Sequence, residues 1–206
     1  MNIFSQLMQK PWVQPEGGAV ALGSGSSLSM PPIEVGLRFF LATISVLFTL
    51  LIIAYNGRIA LGNDWVAMPD PGILWFNTGL LILSSIAFQR ARNMARRDRI
   101  DGARSSLLAA GILALCFLVG QFVASYQLVG LGYFASSNPA NAFFYLLTGL
   151  HALHLSGGLY VWTRTNARVR RGFDAAKVTL SIELCTIYWH FLLLVWLILF
   201  SMMLVT

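Results

Sequence analysis

The sequence predicts an all-α, polytopic membrane bundle of five transmembrane helices, with the N-terminus in the cytoplasm and the C-terminus in the periplasm. Composition indicates a bilayer environment, because 57% of the 206 residues are hydrophobic and only 11% are charged. The apolar residues are gathered into five runs, each long enough to cross a hydrocarbon core about 30 Å thick. Basic residues are concentrated in two of the connections between these runs, which sets the orientation.

The five predicted spans follow a polar N-terminal segment. In chain order they cover about 36–55, 72–88, 107–127, 140–162 and 183–205. Residues 1–35 are expected to be a flexible cytoplasmic segment, because Gly, Ser and Ala dominate 19–29. Pro31 and Pro32 keep a helix from running back out of the first span. Residues 36–206 are therefore expected to form one transmembrane domain.

Charge sets the orientation, because connections rich in Lys and Arg remain in the cytoplasm. The basic residues of two connections are Arg90, Arg92, Arg96, Arg97, Arg99 and Arg104 after the second span, and Arg164, Arg168, Arg170, Arg171 and Lys177 after the fourth. The stretch 128–139, by contrast, carries no charge. This pattern favours a multi-pass membrane protein with both basic connections in the cytoplasm. The net charge of +6 then reflects topology, and no nucleic-acid partner is expected.

Polar residues inside the last two spans are the strongest functional signal. His151, His154, Glu183 and His190 lie in apolar runs, where ionisable side chains are costly and usually have a specific role. His154 and His190 are predicted at similar depths, about 10 to 12 Å from the cytoplasmic edge. If the two spans are antiparallel neighbours, these imidazoles can approach one another. His151 lies one turn from His154 on the same face.

Three interpretations of this cluster remain open on the residues alone. His154 and His190 can be axial ligands of a haem, since a bundle can place histidines on facing helices. Alternatively, the histidines and Glu183 can relay protons. In the third interpretation the side chains form a structural network, in which they bond to each other, to the backbone or to lipid headgroups.

Glu183 has two interpretations of its own. At the start of the fifth span, on the cytoplasmic side, a carboxylate can exchange protons with the cytoplasm. It can also be structural, because a negative charge is favourable at a helix N-terminus or beside Arg164 or Lys177. The two cysteines, Cys116 and Cys185, have no metal-ligand spacing, so no metal site is predicted in this chain.

Two blocks of sequence resemble a known family. The first is His151-Ala-Leu-His154 followed by Gly157-Gly158, and the second is Tyr188-Trp189-His190-Phe191 followed by Val195-Trp196-Leu197. Together they closely resemble subunit III of the haem-copper terminal oxidases, which use cytochrome c or quinol. Further matching blocks are Asp64-Trp65, Pro69-x-Pro71, Leu74-Trp-Phe-Asn-Thr78 and Gly120-Gln121. The resemblance runs from about residue 35 to the C-terminus and indicates the short, five-helix bacterial form.

The resemblance implies an accessory protein with no catalytic residue and no redox centre of its own. Its partners are expected to be the catalytic subunit I, which holds the haems and copper, other oxidase subunits and membrane lipids. Such a subunit supports stability, phospholipid binding and proton uptake in a proton-pumping complex that reduces oxygen to water. The residues assigned to a buried polar network, or to lipid or protons, are His151, His154, Glu183, Tyr188, Trp189, His190 and Trp196.

This chain departs from the family pattern at two positions. Residues 42–48 contain no carboxylate, although the family usually has a glutamate in this span. Leu193 stands where an aspartate is frequent. The alternative from another functional class is a membrane b-type cytochrome or quinol-handling protein that binds haem through His154 and His190. A small transporter is disfavoured because no span has a paired charge or a broken helix at its midplane.

Overall fold

The computed structural model describes residues 32–62, 65, 72–171 and 175–205, and every regular element within them is helical. We number the helices in chain order. They are α1 (Pro32–Leu61), α2 (Ile73–Ala95), α3 (Ile100–Gly130), α4 (Pro139–Arg170) and α5 (Ala175–Val205). The predicted all-α class is confirmed. Residues 1–31, which make up most of the predicted N-terminal segment, lie outside the described residues.

Each helix is longer than the span predicted for it. The prediction followed the apolar run, whereas the hydrogen-bonded helix continues into polar turns at the membrane surface. α1 accordingly begins at Pro32 rather than at residue 36, since proline is well tolerated in the first turn of a helix. The fifth apolar run was expected to start at Glu183, but the helix α5 begins eight residues earlier, at Ala175.

Four of the helices form a closed ring. In it α2 packs on α3, α3 on α4, α4 on α5, and α5 back on α2. α1 lies outside this ring against α4 and α5, and its fully buried residues are Ile44, Phe48 and Tyr55. The core therefore lies at the centre of the ring, and α1 covers one of its sides.

Four helices are long and apolar enough to cross a membrane: α1, α3, α4 and α5. The chain is therefore a membrane protein. α2 is shorter than the other four helices, and Asn77, Thr78, Ser84 and Ser85 interrupt its hydrophobic sequence. All four of these polar residues are buried inside the bundle.

The local sequence explains the N-terminus of α4 and the turn between α2 and α3. Asn138 caps α4 by accepting a hydrogen bond from the backbone N–H of Ala140 at 3.0 Å, and Pro139 occupies the first helical position. The turn between α2 and α3 is short, and Asp98 adopts the left-handed conformation there with φ 55°. The turn makes α2 and α3 adjacent and antiparallel.

Close approach of α4 and α5 depends on Gly158. A Cβ atom at this position would lie 2.7 Å from Tyr188 Cε1 and 2.8 Å from Trp189 Cζ3. Both distances are too short for carbon atoms, so the absence of a side chain lets the two aromatic residues pack against α4. The neighbouring Gly157 has no such contact, since nothing lies within 4 Å of the equivalent position.

We predict that Gly158→Ala lowers the free energy of unfolding by about 1 to 3 kcal/mol, the usual effect of overpacking a tight core. Gly157→Ala is the matched control, and it should be neutral or slightly stabilising because alanine favours the helix. Thermal unfolding of the purified chain in detergent, followed by circular dichroism, measures both. Equal melting temperatures for the two variants would contradict the proposed close packing.

Candidate functional site: a buried aromatic hub and a charged clamp

Trp196 is the residue through which the four ring helices meet. Its indole is fully buried and donates a hydrogen bond from Nε1 to Thr78 Oγ1 of α2 at 3.0 Å. Its ring centroid lies 5.1 Å from that of Phe117 on α3 and 5.3 Å from that of His151 on α4. Thr78 in turn donates its hydroxyl to the carbonyl of Leu74 at 2.8 Å. We call Trp196, Thr78, Phe117 and His151 the aromatic hub.

His151 belongs to this hub through its ring faces and edges. The residue is 1% exposed, and neither ring nitrogen has a hydrogen-bond partner among the described residues. Besides Trp196, its ring contacts Phe117 edge-on at 6.1 Å between centroids. The structure therefore holds His151 by aromatic packing.

His154 and Tyr188 join α4 to α5 and α1. Nδ1–H of His154 donates to the carbonyl of Leu150 at 2.7 Å, because a carbonyl can only accept. The imidazole packs against Phe48 of α1, with 5.6 Å between centroids. Tyr188 donates its hydroxyl to the backbone carbonyl of His154 at 2.8 Å. This bond connects α5 to α4 at the turn where Gly158 allows close approach.

Trp189 fills the core between α5 and α2. It is fully buried, and its ring lies 4.5 Å from that of Phe88 between centroids. Its indole nitrogen has no hydrogen-bond partner among the described residues. Its contribution is therefore the apolar area that the large ring buries.

His190 lies on a different side of the bundle from His154. It is exposed, and its Nδ1–H donates to the carbonyl of Thr186 at 2.8 Å. Its ring lines a groove shared with Ser85 and Gln89 of α2, whereas His154 faces α1. The expected approach of the two imidazoles is not found, because the side chains project from α4 and α5 toward different neighbours.

Glu183 forms a charged clamp between α5 and α2. Arg96 donates from Nε to Glu183 Oε1, and Nε of Arg92 lies 3.8 Å from the same oxygen. The carboxylate side chain is 24% exposed, so the clamp lies at the edge of the bundle. We refer to Glu183, Arg92 and Arg96 as the clamp.

The clamp corrects the structural interpretation of Glu183. The expected partners were Arg164 and Lys177, but the observed ones come from α2, which packs directly on α5. A helix-dipole role is also excluded, because Glu183 lies eight residues inside α5 and the dipole acts mainly on the first turn.

Several residues of the site could not be assigned from sequence. In the sequence analysis Thr78 was named only as the last residue of a block that resembles the family. Nothing in the sequence indicated that its hydroxyl accepts a hydrogen bond from the Trp196 indole. Arg92 and Arg96 were counted only as topology signals. Within the described ranges, no group of three or more His, Cys, Asp or Glu side chains is placed to hold a metal ion. Cys116 is exposed and Cys185 is buried.

Comparison with known proteins gives a consistent result over most of the chain. The family model described as cytochrome c oxidase subunit III matches residues 16–205. A probable cytochrome c oxidase subunit 3 of Mycobacterium leprae is 31% identical over 180 residues, covering 85% of this chain and 89% of that protein. The cytochrome c oxidase subunit 3 of Thermostichus vulcanus is 30% identical over 200 residues, covering 93% and 95%.

Proposed function

This chain belongs to the cytochrome c oxidase subunit III family, and we propose that it acts as the non-catalytic subunit III of a proton-pumping terminal oxidase. The accessory role is supported by the contacts that residues of the family's sequence blocks make inside the bundle. Thr78, His151 and Trp196 meet in the aromatic hub, and Tyr188 bonds to the α4 backbone. These residues hold helices together, which supports a role in stabilising a complex.

The haem-binding alternative has less support from the geometry. A bis-histidine haem needs two imidazoles that face one another across the ring plane. His154 packs on Phe48 of α1, whereas His190 lines the groove beside α2. In this proposal the haems and copper of the oxidase belong to the catalytic subunit I, and this chain binds that subunit, other oxidase subunits and phospholipid.

The proposed topology has five spans in a bacterial inner membrane, with the N-terminus inside and the C-terminus outside. α2 is included because its polar residues are buried while its outward side chains are apolar. These outward residues are Trp75, Phe76, Ile82, Leu83 and Ile86. A helix with polar groups facing the bundle and apolar groups facing outward suits a lipid environment even when its mean hydropathy is modest.

For Glu183 we propose a structural role in the clamp. A carboxylate bonded to Arg96 on the adjacent helix has a defined partner, and its bond joins the cytoplasmic ends of α2 and α5. A role in proton uptake would require the carboxylate to exchange protons while this bond is broken and re-formed. The geometry therefore favours the clamp over the proton antenna.

The accessory role predicts the distribution of haem. In mild detergent a tagged form of this chain should co-purify with a haem- and copper-containing subunit, whereas the chain expressed alone should show no haem band in a reduced-minus-oxidised spectrum. His154→Leu and His190→Leu should leave the haem content of the assembled complex unchanged. Haem bound to the isolated chain, and lost in either variant, would establish the cytochrome alternative instead.

The topology predicts which side of the membrane each connection occupies. A single cysteine introduced as Arg104→Cys in a variant that lacks Cys116 and Cys185 should react with a membrane-impermeant maleimide only in inside-out vesicles. A cysteine introduced as Ser136→Cys, in the uncharged connection, should react only in right-side-out vesicles. Reaction of both positions from the same side would rule out an odd number of helices crossing between them, and hence the five-span arrangement.

The clamp predicts separable effects on stability and turnover. Glu183→Gln should lower the stability of the complex by about 1 kcal/mol, since the pair is partly exposed. Oxygen consumption per assembled complex, and its pH dependence, should stay as in the unmodified protein. Glu34→Gln is the matched control, because it breaks the exposed Glu34–Arg38 pair at 2.9 Å within α1.

The control variant should change stability by less than about 0.5 kcal/mol. Slower turnover of Glu183→Gln at alkaline pH, with the complex intact and the control unaffected, would overturn the clamp interpretation. Such a result would assign proton uptake to Glu183.

A further inference from the structure

The centre of the ring contains buried polar side chains that the other described residues do not satisfy. Asn77 of α2 is fully buried, and neither its amide nitrogen nor its amide oxygen has a hydrogen-bond partner among the described residues. The same holds for both ring nitrogens of His151 on α4 and for the amide nitrogen of Gln121 on α3. Three helices that pack on one another therefore each carry at least one unsatisfied, buried polar atom.

These three side chains lie within about one helical turn of the aromatic hub. Asn77 directly precedes the hub threonine, Gln121 follows Phe117 by four residues, and His151 is itself a member of the hub. Asn77 packs on α3 at Gly120, where a Cβ atom would overlap the amide oxygen. The glycine thus makes room for the amide, next to the residue that carries the third unsatisfied group.

The unsatisfied atoms include both donors and acceptors. A neutral imidazole has one N–H donor and one acceptor nitrogen, and a carboxamide has a donor NH2 group and an acceptor oxygen. The Phe117 ring lies edge-on to the His151 ring at 84° and could accept at most an N–H···π contact. That contact would serve the donor and leave the acceptor nitrogen unsatisfied. Since the large majority of buried polar groups in proteins have partners, we expect the hub to bind one.

The surroundings of these groups indicate a small, uncharged ligand. The rings that contact His151 belong to Phe48, Phe117 and Trp196, and none of them carries a charge. In the part of the chain that the structure describes, no group of three or more His, Cys, Asp or Glu side chains is placed to hold a metal ion. An ion here would lack a counter-charge, which is costly inside a bundle. Water fits, because it is small and both donates and accepts hydrogen bonds.

We propose that the aromatic hub binds ordered water inside the ring of helices, hydrogen-bonded to His151, Asn77 and Gln121. Buried water in proteins typically makes about three hydrogen bonds to polar groups that lack other partners. Bonds through water then join α2, α3 and α4, in addition to the direct bond from Trp196 to Thr78. This role of the three polar residues goes beyond the accessory function proposed above and does not depend on assembly with an oxidase.

Trp189 provides a comparison within the same core. It is as deeply buried as Trp196, and its indole N–H also lacks an acceptor among the described residues. Its ring packs on Phe88, and the indole offers a single donor and no acceptor. A buried water needs about two to four polar partners, so a lone donor beside an aromatic ring is not expected to hold one.

The test is radiolytic labelling of the full-length chain in detergent with brief X-ray pulses. Radiation converts bound water to hydroxyl radicals, which oxidise the side chains next to them before they diffuse away. Trp196 and Phe117 should therefore be oxidised although both are fully buried, whereas the equally buried Trp189 and Phe88 should not. Mass spectrometry of the peptides measures the rate for each residue. A rate for Trp196 no higher than that for Trp189 would overturn the proposal.

A double variant links the labelling to the proposed ligands of the water. His151→Phe combined with Asn77→Leu removes the polar groups and keeps apolar bulk, so oxidation of Trp196 should fall to the rate of Trp189. His154→Phe is the matched control, because Nδ1–H of His154 already bonds to a backbone carbonyl. The control should leave the rate for Trp196 unchanged. Unchanged oxidation in the double variant, or an equal fall in the control, would contradict the assigned site.

The melting temperatures of the single variants give a second measurement. If water satisfies His151 and Asn77, replacing either with an apolar side chain loses hydrogen bonds, and each variant should melt at a lower temperature. The double variant should lose less than the sum of the two, because the groups share water. Higher melting temperatures in both single variants would show that the groups were unsatisfied and would overturn the proposal. If a variant fails to fold, the comparison of Trp196 with Trp189 in the unmodified protein still decides.

Discussion

The hydrogen bond from the Trp196 indole to the Thr78 hydroxyl is the interaction on which the ring of helices depends. A polar N–H group inside an apolar bundle is stabilised by an acceptor, since leaving it unsatisfied costs about 1 to 3 kcal/mol. Among the described residues the Trp189 indole has no acceptor, whereas the Trp196 indole has one. Thr78 supplies that acceptor from α2. The indole is thereby fixed in one orientation, in which its faces and edges meet Phe117 and His151. This bond therefore fixes the orientation of the one indole that contacts α2, α3 and α4 at the centre of the ring.

The same constraint accounts for the hydrogen bonds of several other polar residues in the helices. Tyr188 donates to a backbone carbonyl, and several buried hydroxyls do likewise, as Ser84 does to the carbonyl of Ala110 at 2.8 Å and Thr148 does to that of Phe144 at 2.6 Å. Charged groups are kept nearer the surface, where Glu183 meets Arg96 at partial exposure. Hydrogen bonds between neutral groups thus join helices in the core. The ion pair of Glu183 and Arg96 joins α2 and α5 at the edge of the bundle.

Sequence predicts the helices better than it predicts their contacts. The apolar runs identify all five helices, because the bilayer imposes a length that is visible in the chain. The expected approach of His154 to His190 was wrong, because residue count fixes the depth of a side chain along a helix whereas its direction depends on how the helix is rotated. The partners of Glu183 were missed for a related reason. Arg92 and Arg96 belong to the same hydrophilic connection as other arginines, and only packing distinguishes them.

Leu193 lies beside His190 in the groove between α2 and α5. Arg90, Arg97 and Arg99 line the same groove, and among the described residues no Asp or Glu lines it. A leucine at this position adds apolar surface without a charge, so the three arginines are the formal charges that line the described groove. The charge of this surface is therefore set by α2 and the turn after it, whereas α5 contributes apolar side chains and the His190 imidazole.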